Sequence, residues 1–170
     1  NNKKIRDVIN LYRNHGLESR DNVAIFGLNS RLDSVNAVVL SYRLKSLRQN
    51  IKIRNKHINI YRNYFSKNER ISIPTDKAGE LNPYVMFITQ CDKRDELQKY
   101  LQENGIQSMI YYGTPLHKHT AYKNYYGDVK NLPNVERICK RVLALPHHQY
   151  LKESDIHYVC KKIDSFYKKN

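Results

Sequence analysis

The stretch DSVNAVVLSYRLKSLRQNIKIRNKHINIYRNYF, residues 33–65, decides how this 170-residue chain is organised. It contains neither glycine nor proline, the residues that most readily interrupt a helix. Its apolar residues recur largely at helical spacing and are Val35, Val38, Val39, Tyr42, Leu47, Ile51, Ile58, Tyr61 and Phe65. Asp33 or Ser34 is placed to cap its N-terminus. An unbroken helix would extend roughly 50 Å at about 1.5 Å per residue, so we expect a linking helix that bridges two bodies or bends midway.

A shorter amphipathic helix is predicted before it, over residues 3–15. Its apolar residues, at i, i+3, i+4 and i+7, are Ile5, Val8, Ile9 and Tyr12. Gly16 suits the left-handed position that ends such a helix. Residues 17–32 are then expected to form a loop.

After residue 65 the pattern alternates between strand and helix. Strand patterns cover residues 84–88, 106–112 and 143–146. Helical patterns begin at Asp92, Pro133 and Ser154. This order predicts an α/β fold in which the long linking helix is followed by a small mixed sheet packed with helices.

The charge of the chain is strongly positive. Lysine and arginine number 30 against 16 aspartate and glutamate, a net charge of +14 with histidine neutral. Such an excess is typical of nucleic-acid binding, but the basic residues are scattered, and the densest group, 43–56, lies at mixed helical phases like a solvated helix face. A positive field also attracts an anionic small molecule such as a sugar diphosphate. Charge alone leaves these three interpretations open.

Several classes of protein and site are disfavoured by the sequence. No run approaches the 18 or so consecutive apolar residues that a membrane span needs. Cys91, Cys139 and Cys160 lie far apart, without the spacing of a zinc site or a disulfide framework, so we expect no metal and a reducing, cytoplasmic location. The self-contained phosphate-binding and hydrolase motifs are also missing.

Two segments combine residue types that suit chemistry. Residues 27–33, GLNSRLD, place an amide, a hydroxyl and a guanidinium before a helix N-terminus, which suits an anion as well as an ordinary turn. Residues 111–117, YYGTPLH, leave a predicted strand with two phenols and an imidazole, which suit sugar hydroxyls or proton transfer as well as aromatic packing. On strand geometry Tyr111 and Tyr112 face opposite ways unless the chain twists at Gly113. The adjacent His147 and His148 indicate packing at a strand end rather than a metal site.

The order of these segments along the chain is more specific than any one of them. The ordered set comprises Arg13-Asn14-His15-Gly16, Gly27-Leu28-Asn29-Ser30-Arg31-Leu32-Asp33, Gln98 with Leu101 and Gly105-Ile106, Tyr111 to His117, Leu132-Pro133 with Glu136, and Leu143 to His148. It resembles the DegT/DnrJ/StrS family of sugar aminotransferases over nearly the whole chain. Those are fold-type-I enzymes that use pyridoxal phosphate.

The resemblance implies roles for four residues. Asn29 matches the asparagine that binds the cofactor phosphate in the neighbouring subunit's site, and Arg31, Tyr111 and His117 match segments that line the nucleotide-sugar pocket. Tyr111 and Gly113 depart from the histidine and proline usual there. The lysine that anchors the cofactor precedes the matched region, so the resemblance implies no catalytic residue within these 170 residues.

The resemblance also implies an organisation and an activity. Residues 1–32 would be a remnant of the large cofactor-binding domain, 33–65 the linking helix and 66–170 the small C-terminal α/β domain. A longer, homodimeric parent enzyme of polysaccharide biosynthesis would pass an amino group from an amino acid, expected to be glutamate, to a nucleotide-linked keto-sugar. It would have no membrane or nucleic-acid partners, and this segment alone would be inactive. The alternatives are one of the family's dehydratases, an inactive assembly piece, or a basic non-enzymatic α/β module that binds nucleic acid.

Overall fold

The computed structural model describes residues 2–128 and 131–169. They divide into two compact units, one ending at Leu47 and the other beginning at Arg48. The boundary lies inside the predicted linking helix, and the assignment of 1–32, 33–65 and 66–170 to parts of a larger enzyme stays a prediction.

The N-terminal unit begins with helix α1 and a small hairpin. Helix α1 is Lys3–Tyr12, and the hairpin pairs β1, Leu17–Ser19, with β2, Asn22–Val23, where a loop was expected. Gly16 follows α1 with φ +73°, and a Cβ there would lie 1.7 Å from the Ile25 carbonyl oxygen. Only glycine therefore fits at the predicted helix end.

Helix α2, Ser34–Tyr64, confirms the predicted long helix. Asp33 caps it, since its Oδ1 accepts a hydrogen bond from the Asn36 backbone N–H over 2.8 Å. The buried residues of α2 lie in its second half and are Ile51, His57, Ile58 and Tyr61. They pack in the core of the C-terminal unit. The apolar spacing in the second half of α2 therefore marks the face of the helix that is buried.

The C-terminal unit is built on a three-stranded sheet. Its strands are β3, Ile71–Ser72, β4, Ile88–Cys91, and β5, Val142–Ala144, in the order β3-β4-β5. Ile71 pairs with Cys91 and Thr89 with Leu143. We expected a mixed sheet, whereas the strand pairs in the described part of the chain are antiparallel.

Four helices and one short turn complete this unit. They are α3, Arg94–Glu103, α4, Thr120–Tyr126, α5, Pro133–Cys139, α6, Glu153–Lys169, and a 3₁₀ turn, Leu116–Lys118. The core joins the second half of α2, the sheet, α3 and α6 through apolar side chains that include Ile58, Tyr61, Phe87, Leu97, Leu101, Leu143, Ile156 and Ile163. The predicted α/β class is therefore confirmed.

Two of the predicted strands were misplaced. Residues 84–87 do not form a strand, since Tyr84 has φ +42°, and β4 begins only at Ile88. In the predicted strand 106–112 only Met109 pairs, with Ala144, through two backbone hydrogen bonds of 3.1 and 2.8 Å. Tyr84, Phe87 and Ile106 pack in the core, and several other residues of both stretches line a cavity, which produces a strand-like sequence without strand pairing.

Two helix starts also differ from expectation. Asp92 was predicted to cap α3, but its carboxylate pairs with Arg141 over 2.9 Å, and Lys93 precedes the helix with φ +47°. Helix α6 begins at Glu153, and Asp155, rather than the expected Ser154, accepts a hydrogen bond from the Lys152 N–H over 2.9 Å. Within the described residues, no helix is long and apolar enough to cross a bilayer.

Candidate functional site

The motif at residues 27–33 lies against the end of α1. The Leu28 N–H donates to the Tyr12 carbonyl over 2.8 Å, and the Ser30 N–H donates to the Arg13 carbonyl over 2.9 Å. At Gly27 a Cβ would lie 2.3 Å from the Gly16 nitrogen, so this close approach requires glycine. The Arg-Asn-His-Gly and Gly-Leu-Asn-Ser-Arg segments are thereby held together.

This pairing leaves the side chains of Asn29, Ser30 and Arg31 exposed. Arg31 donates its Nε–H to Asn29 Oδ1 over 3.0 Å, so the amide NH₂ of Asn29 is left to donate outward. Amide, hydroxyl and guanidinium donors on three successive residues suit a phosphate group. The structure therefore brings two predicted site residues, Asn29 and Arg31, into contact with each other.

The loop at residues 111–117 turns sharply after Tyr111. Tyr112 has φ +61°, and the two tyrosine rings lie 6.5 Å apart between centroids. The twist thus falls at Tyr112, one residue before Gly113. It brings the two rings close to each other, whereas a regular strand would place them on opposite faces. Tyr111 is half-buried and Tyr112 is exposed.

His117 lies in the 3₁₀ turn and is 7% exposed. Its Nε2 lies 3.3 Å from Glu136 Oε1, on helix α5. Lys118 Nζ lies 3.1 Å from the same oxygen, and hydrogen bonds from Lys118 and then His117 lower the pKa of the Glu136 carboxyl. In this structure His117 therefore connects the loop to α5.

A cavity of about 540 Å³ opens beside the ends of β4 and β5, within the C-terminal unit. Its lining includes Phe87, Ser108, Met109, Tyr111, Leu145 and His147. Of the four predicted site residues, Tyr111 lies in this lining. His117 lies outside it, and Asn29 and Arg31 belong to the N-terminal unit.

Two polar residues in the lining of this cavity, Ser108 and His147, were missed as functional candidates. Ser108 Oγ and His147 Nε2 are buried and have no hydrogen-bond partner among the described residues. Burial, and then the nearby Arg54 guanidinium, lower the pKa of His147 to about 4, so its imidazole is neutral at pH 7. The only sequence signals were a serine within an apolar segment and a histidine after a strand. No group of three potential metal ligands occurs in the residues that the structure covers.

The sequence profile of the DegT/DnrJ/EryC1/StrS aminotransferase family matches residues 1–164. This chain belongs to that family. The match confirms the resemblance found in the ordered motifs, and it spans both compact units.

Named relatives agree with this membership. The chain is 31% identical over 170 residues to a pleiotropic regulatory protein of Geobacillus stearothermophilus, covering 99% of the chain and 46% of that protein. It is 28% identical over 166 residues to dTDP-3-amino-3,6-dideoxy-alpha-D-galactopyranose transaminase of Aneurinibacillus thermoaerophilus, covering 98% and 45%. A third relative, from Pseudomonas aeruginosa, is a UDP-2-acetamido-2-deoxy-3-oxo-D-glucuronate aminotransferase, 26% identical over 160 residues, with coverage of 94% and 44%. The chain therefore spans under half the length of these relatives.

Solved structures support the same fold. A DegT/DnrJ/EryC1/StrS aminotransferase from Brucella abortus superposes with a TM-score of 0.88 at 32% identity, covering 98% of this chain and 44% of that one. DesV of S. venezuelae, solved in complex with a ketimine intermediate, superposes with a TM-score of 0.89 at 25% identity, covering 97% and 44%. The fold is thus that of fold-type-I sugar aminotransferases.

Proposed function

We propose that this chain is the C-terminal portion of a pyridoxal-phosphate-dependent aminotransferase that transfers an amino group from an amino acid, glutamate in our proposal, to a nucleotide-linked keto-sugar. The observation that carries the proposal is the family match over residues 1–164, which includes the motif around Asn29. The activity, the amino donor and a homodimeric, cytoplasmic protein belong to the proposal for the whole enzyme.

The exposed donors at residues 29–31 fit the phosphate of this cofactor. Asn29 would donate from its amide NH₂, whose orientation is fixed by the hydrogen bond from Arg31 to Oδ1. Ser30 adds a hydroxyl and Arg31 a positive charge, and charge-assisted hydrogen bonds to phosphate are stronger than neutral ones. In the proposed dimer this segment acts in the site of the neighbouring subunit. When bound, the cofactor supplies the carbonyl that takes up the amino group and the ring that withdraws electrons.

The substrate in this proposal is a dTDP- or UDP-linked sugar, because the transaminases among the relatives are named for such sugars. The net charge of +14 favours the approach of a diphosphate. Tyr111 is proposed to contact the substrate from the cavity of the C-terminal unit, and Arg31 is a separate proposed substrate contact of the N-terminal unit. His117, held against Glu136, would fix the far end of the loop that carries Tyr111.

Because the resemblance implies that the cofactor-anchoring lysine precedes the matched region, we propose that residues 1–170 alone do not turn over. The experiment compares this chain with the complete protein, supplied with ¹⁵N-glutamate and dTDP- or UDP-keto-sugars. We expect ¹⁵N in the sugar product only with the complete protein. Borohydride reduction after pyridoxal phosphate should label surface lysines of the 170-residue chain diffusely. Stoichiometric labelling of one lysine, with turnover, would contradict inactivity, and failure of the complete protein to transfer nitrogen would contradict the function.

A further inference from the structure

The loop at residues 111–117 and the 3₁₀ turn that ends it are attached to α5 through one carboxylate. Glu136 Oε1 lies 3.3 Å from His117 Nε2 and 3.1 Å from Lys118 Nζ. Within the described part of the chain, no other hydrogen bond or ion pair joins residues 110–118 to a different helix or strand. The position of Glu136 therefore determines where the C-terminal end of the loop is held.

Helix α5 is itself held mainly at its C-terminal end. Cys139, its last residue, is its one buried residue, whereas its apolar residues Val135 and Ile138 are exposed. Glu136 and Cys139 are three positions apart, roughly 4.5 Å along the axis at about 1.5 Å per residue. A displacement of the Cys139 end would therefore move the Glu136 carboxylate as well.

That end of α5 is bound by Arg94, the first residue of α3. Arg94 Nη1 donates to the Cys139 carbonyl over 3.2 Å and to the Val142 carbonyl, in β5, over 3.0 Å. Its Nε donates to Asp95 over 2.7 Å, and the residue is only 9% exposed. A buried guanidinium needs paired donors, and two of them fix the backbone at the junction of α5 and β5.

The place of Arg94 in α3 indicates that its role lies outside that helix. A positive charge in the first turn of a helix opposes the helix dipole, so Arg94 is unfavourable for α3 alone. Its rigid fork of donors suits two carbonyls at once, which a lysine ammonium does less well. The contacts of Arg94 thus serve the junction that carries Glu136.

We propose that Arg94 is a positioning residue for the loop at residues 111–117, acting through the Cys139 carbonyl, helix α5 and the Glu136 carboxylate. This inference rests on the proposed function, in which Tyr111 of that loop contacts the keto-sugar. Arg94 acts on the substrate only through the loop. Its loss should therefore impair the reaction of the keto-sugar and spare that of the amino donor.

The first part of the test follows the loop itself. ¹H–¹⁵N correlation spectra of the 170-residue chain are compared for Arg94→Met, Glu136→Ala and a control, Arg70→Met, whose lost donor binds the Tyr167 carbonyl on α6. We expect the amide signals of residues 116–118 to move in the first two variants and to stay in place in the control. Unmoved signals in folded Arg94→Met, or equal movement in Arg70→Met, overturn the inference. Should Arg94→Met fail to fold, Arg94→Lys, which keeps the buried charge but loses the fork, decides by the same signals.

The second part is kinetic and uses the complete protein, with kcat/KM measured separately for the two substrates. In Arg94→Met we expect kcat/KM for the keto-sugar to fall at least about fivefold and that for glutamate to stay within about twofold. In a Glu136→Ala background the same substitution should cost less than about twofold more, because the contact through which Arg94 acts is already lost. Equal losses for both substrates, an unchanged kcat/KM for the keto-sugar, or fully additive losses overturn the inference.

The failure of this inference differs from a failure of the proposed function, because the spectra require no activity. Nitrogen transfer by the complete protein, with unmoved loop signals in Arg94→Met, would remove the role of Arg94 and leave the aminotransferase assignment standing. Moved signals without nitrogen transfer would keep the connection from Arg94 to the loop and contradict the proposed function.

Discussion

Arg31 donates its Nε–H to the side-chain carbonyl of Asn29 over 3.0 Å, and this bond decides which end of the amide faces outward. The oxygen therefore accepts from Arg31, and the NH₂ group of this exposed residue remains able to donate to a ligand. Asn29 is thus oriented as a donor before any anion arrives. The Arg31 guanidinium that makes this bond is also the group that we expect to approach the substrate.

The first prediction concerns this amide. In the complete protein, Asn29→Ala should weaken retention of pyridoxal phosphate roughly 5- to 100-fold, the equivalent of about 1–3 kcal/mol for a donor lost from a charged acceptor. The measurement is the cofactor dissociation constant from absorbance. Asn22→Ala, at an exposed asparagine bonded to Glu18, is the matched control and should retain cofactor normally. Wild-type retention in a dimeric Asn29→Ala protein would contradict the role.

The second prediction concerns the two neighbouring tyrosines. Tyr111→Phe removes the hydroxyl from a half-buried ring in the cavity lining and should lower kcat/KM for the keto-sugar about tenfold or more, the equivalent of about 1.4 kcal/mol. Tyr112→Phe, at an exposed ring, should be near neutral and is the control. If both variants keep the kcat/KM of the wild type, the Tyr111 hydroxyl does not contact the substrate, and the ring serves only in packing.

The third prediction separates two possible roles of His117. His117→Ala removes a buried ring and its bond to Glu136, so we expect a lower melting temperature together with kcat/KM reduced about tenfold or more. His117→Gln can keep a hydrogen bond to the carboxylate and should recover much of both. Recovery of stability without recovery of kcat/KM would indicate that the imidazole touches the substrate directly.

The fourth prediction concerns acid stability. The pKa of His147 falls to about 4 and that of His57 is lowered, in both cases first through burial. The unfolded chain then binds more protons than the folded one between about pH 6.5 and 4, so stability is full above pH 6.5 and declines as the pH falls through that window. We expect the melting temperature at pH 5 to lie at least about 3 °C below that at pH 7, the equivalent of roughly 1 kcal/mol. His147→Leu should reduce this difference, and an unchanged difference would exclude His147 as its source.

The fifth prediction concerns the connection between α2 and residues 73–84. Arg62 donates to the Pro74 carbonyl over 3.0 and 2.8 Å and pairs with Asp76 over 3.0 Å, and the Tyr84 hydroxyl contacts both side chains. Arg62→Met should lower the free energy of unfolding by about 2–3 kcal/mol, because several half-buried partners lose their bonds. Arg6→Met, at an exposed pair with Asp7, should change it by less than about 0.5 kcal/mol. Equal effects of the two substitutions in chemical denaturation would contradict this account.

Helices α1, α2 and α6 could be predicted because their signals are local. Apolar spacing, the absence of glycine and proline in residues 33–65, and Asp33 as a cap act between residues a few positions apart. The strand errors have the opposite cause, since a strand exists only where a partner pairs with it. Within residues 84–87 only Tyr84 and Phe87 pack into the core, and the positive φ of Tyr84 breaks the extended backbone that a strand would need.

The sequence by itself determined the family, through the order of its motifs, and with it the candidates Asn29, Arg31, Tyr111 and His117. Only the tertiary structure decided their surroundings: Arg31 against Asn29, His117 against Glu136, and Tyr111 in a cavity. Ser108 and His147 had only weak sequence signals, a serine within an apolar segment and a histidine after a strand, and they lie 39 positions apart in the chain. Both residues line one cavity, where Met109 pairs with Ala144 at the end of β5, and such pairing depends on hydrogen bonds between distant segments that local spacing does not encode.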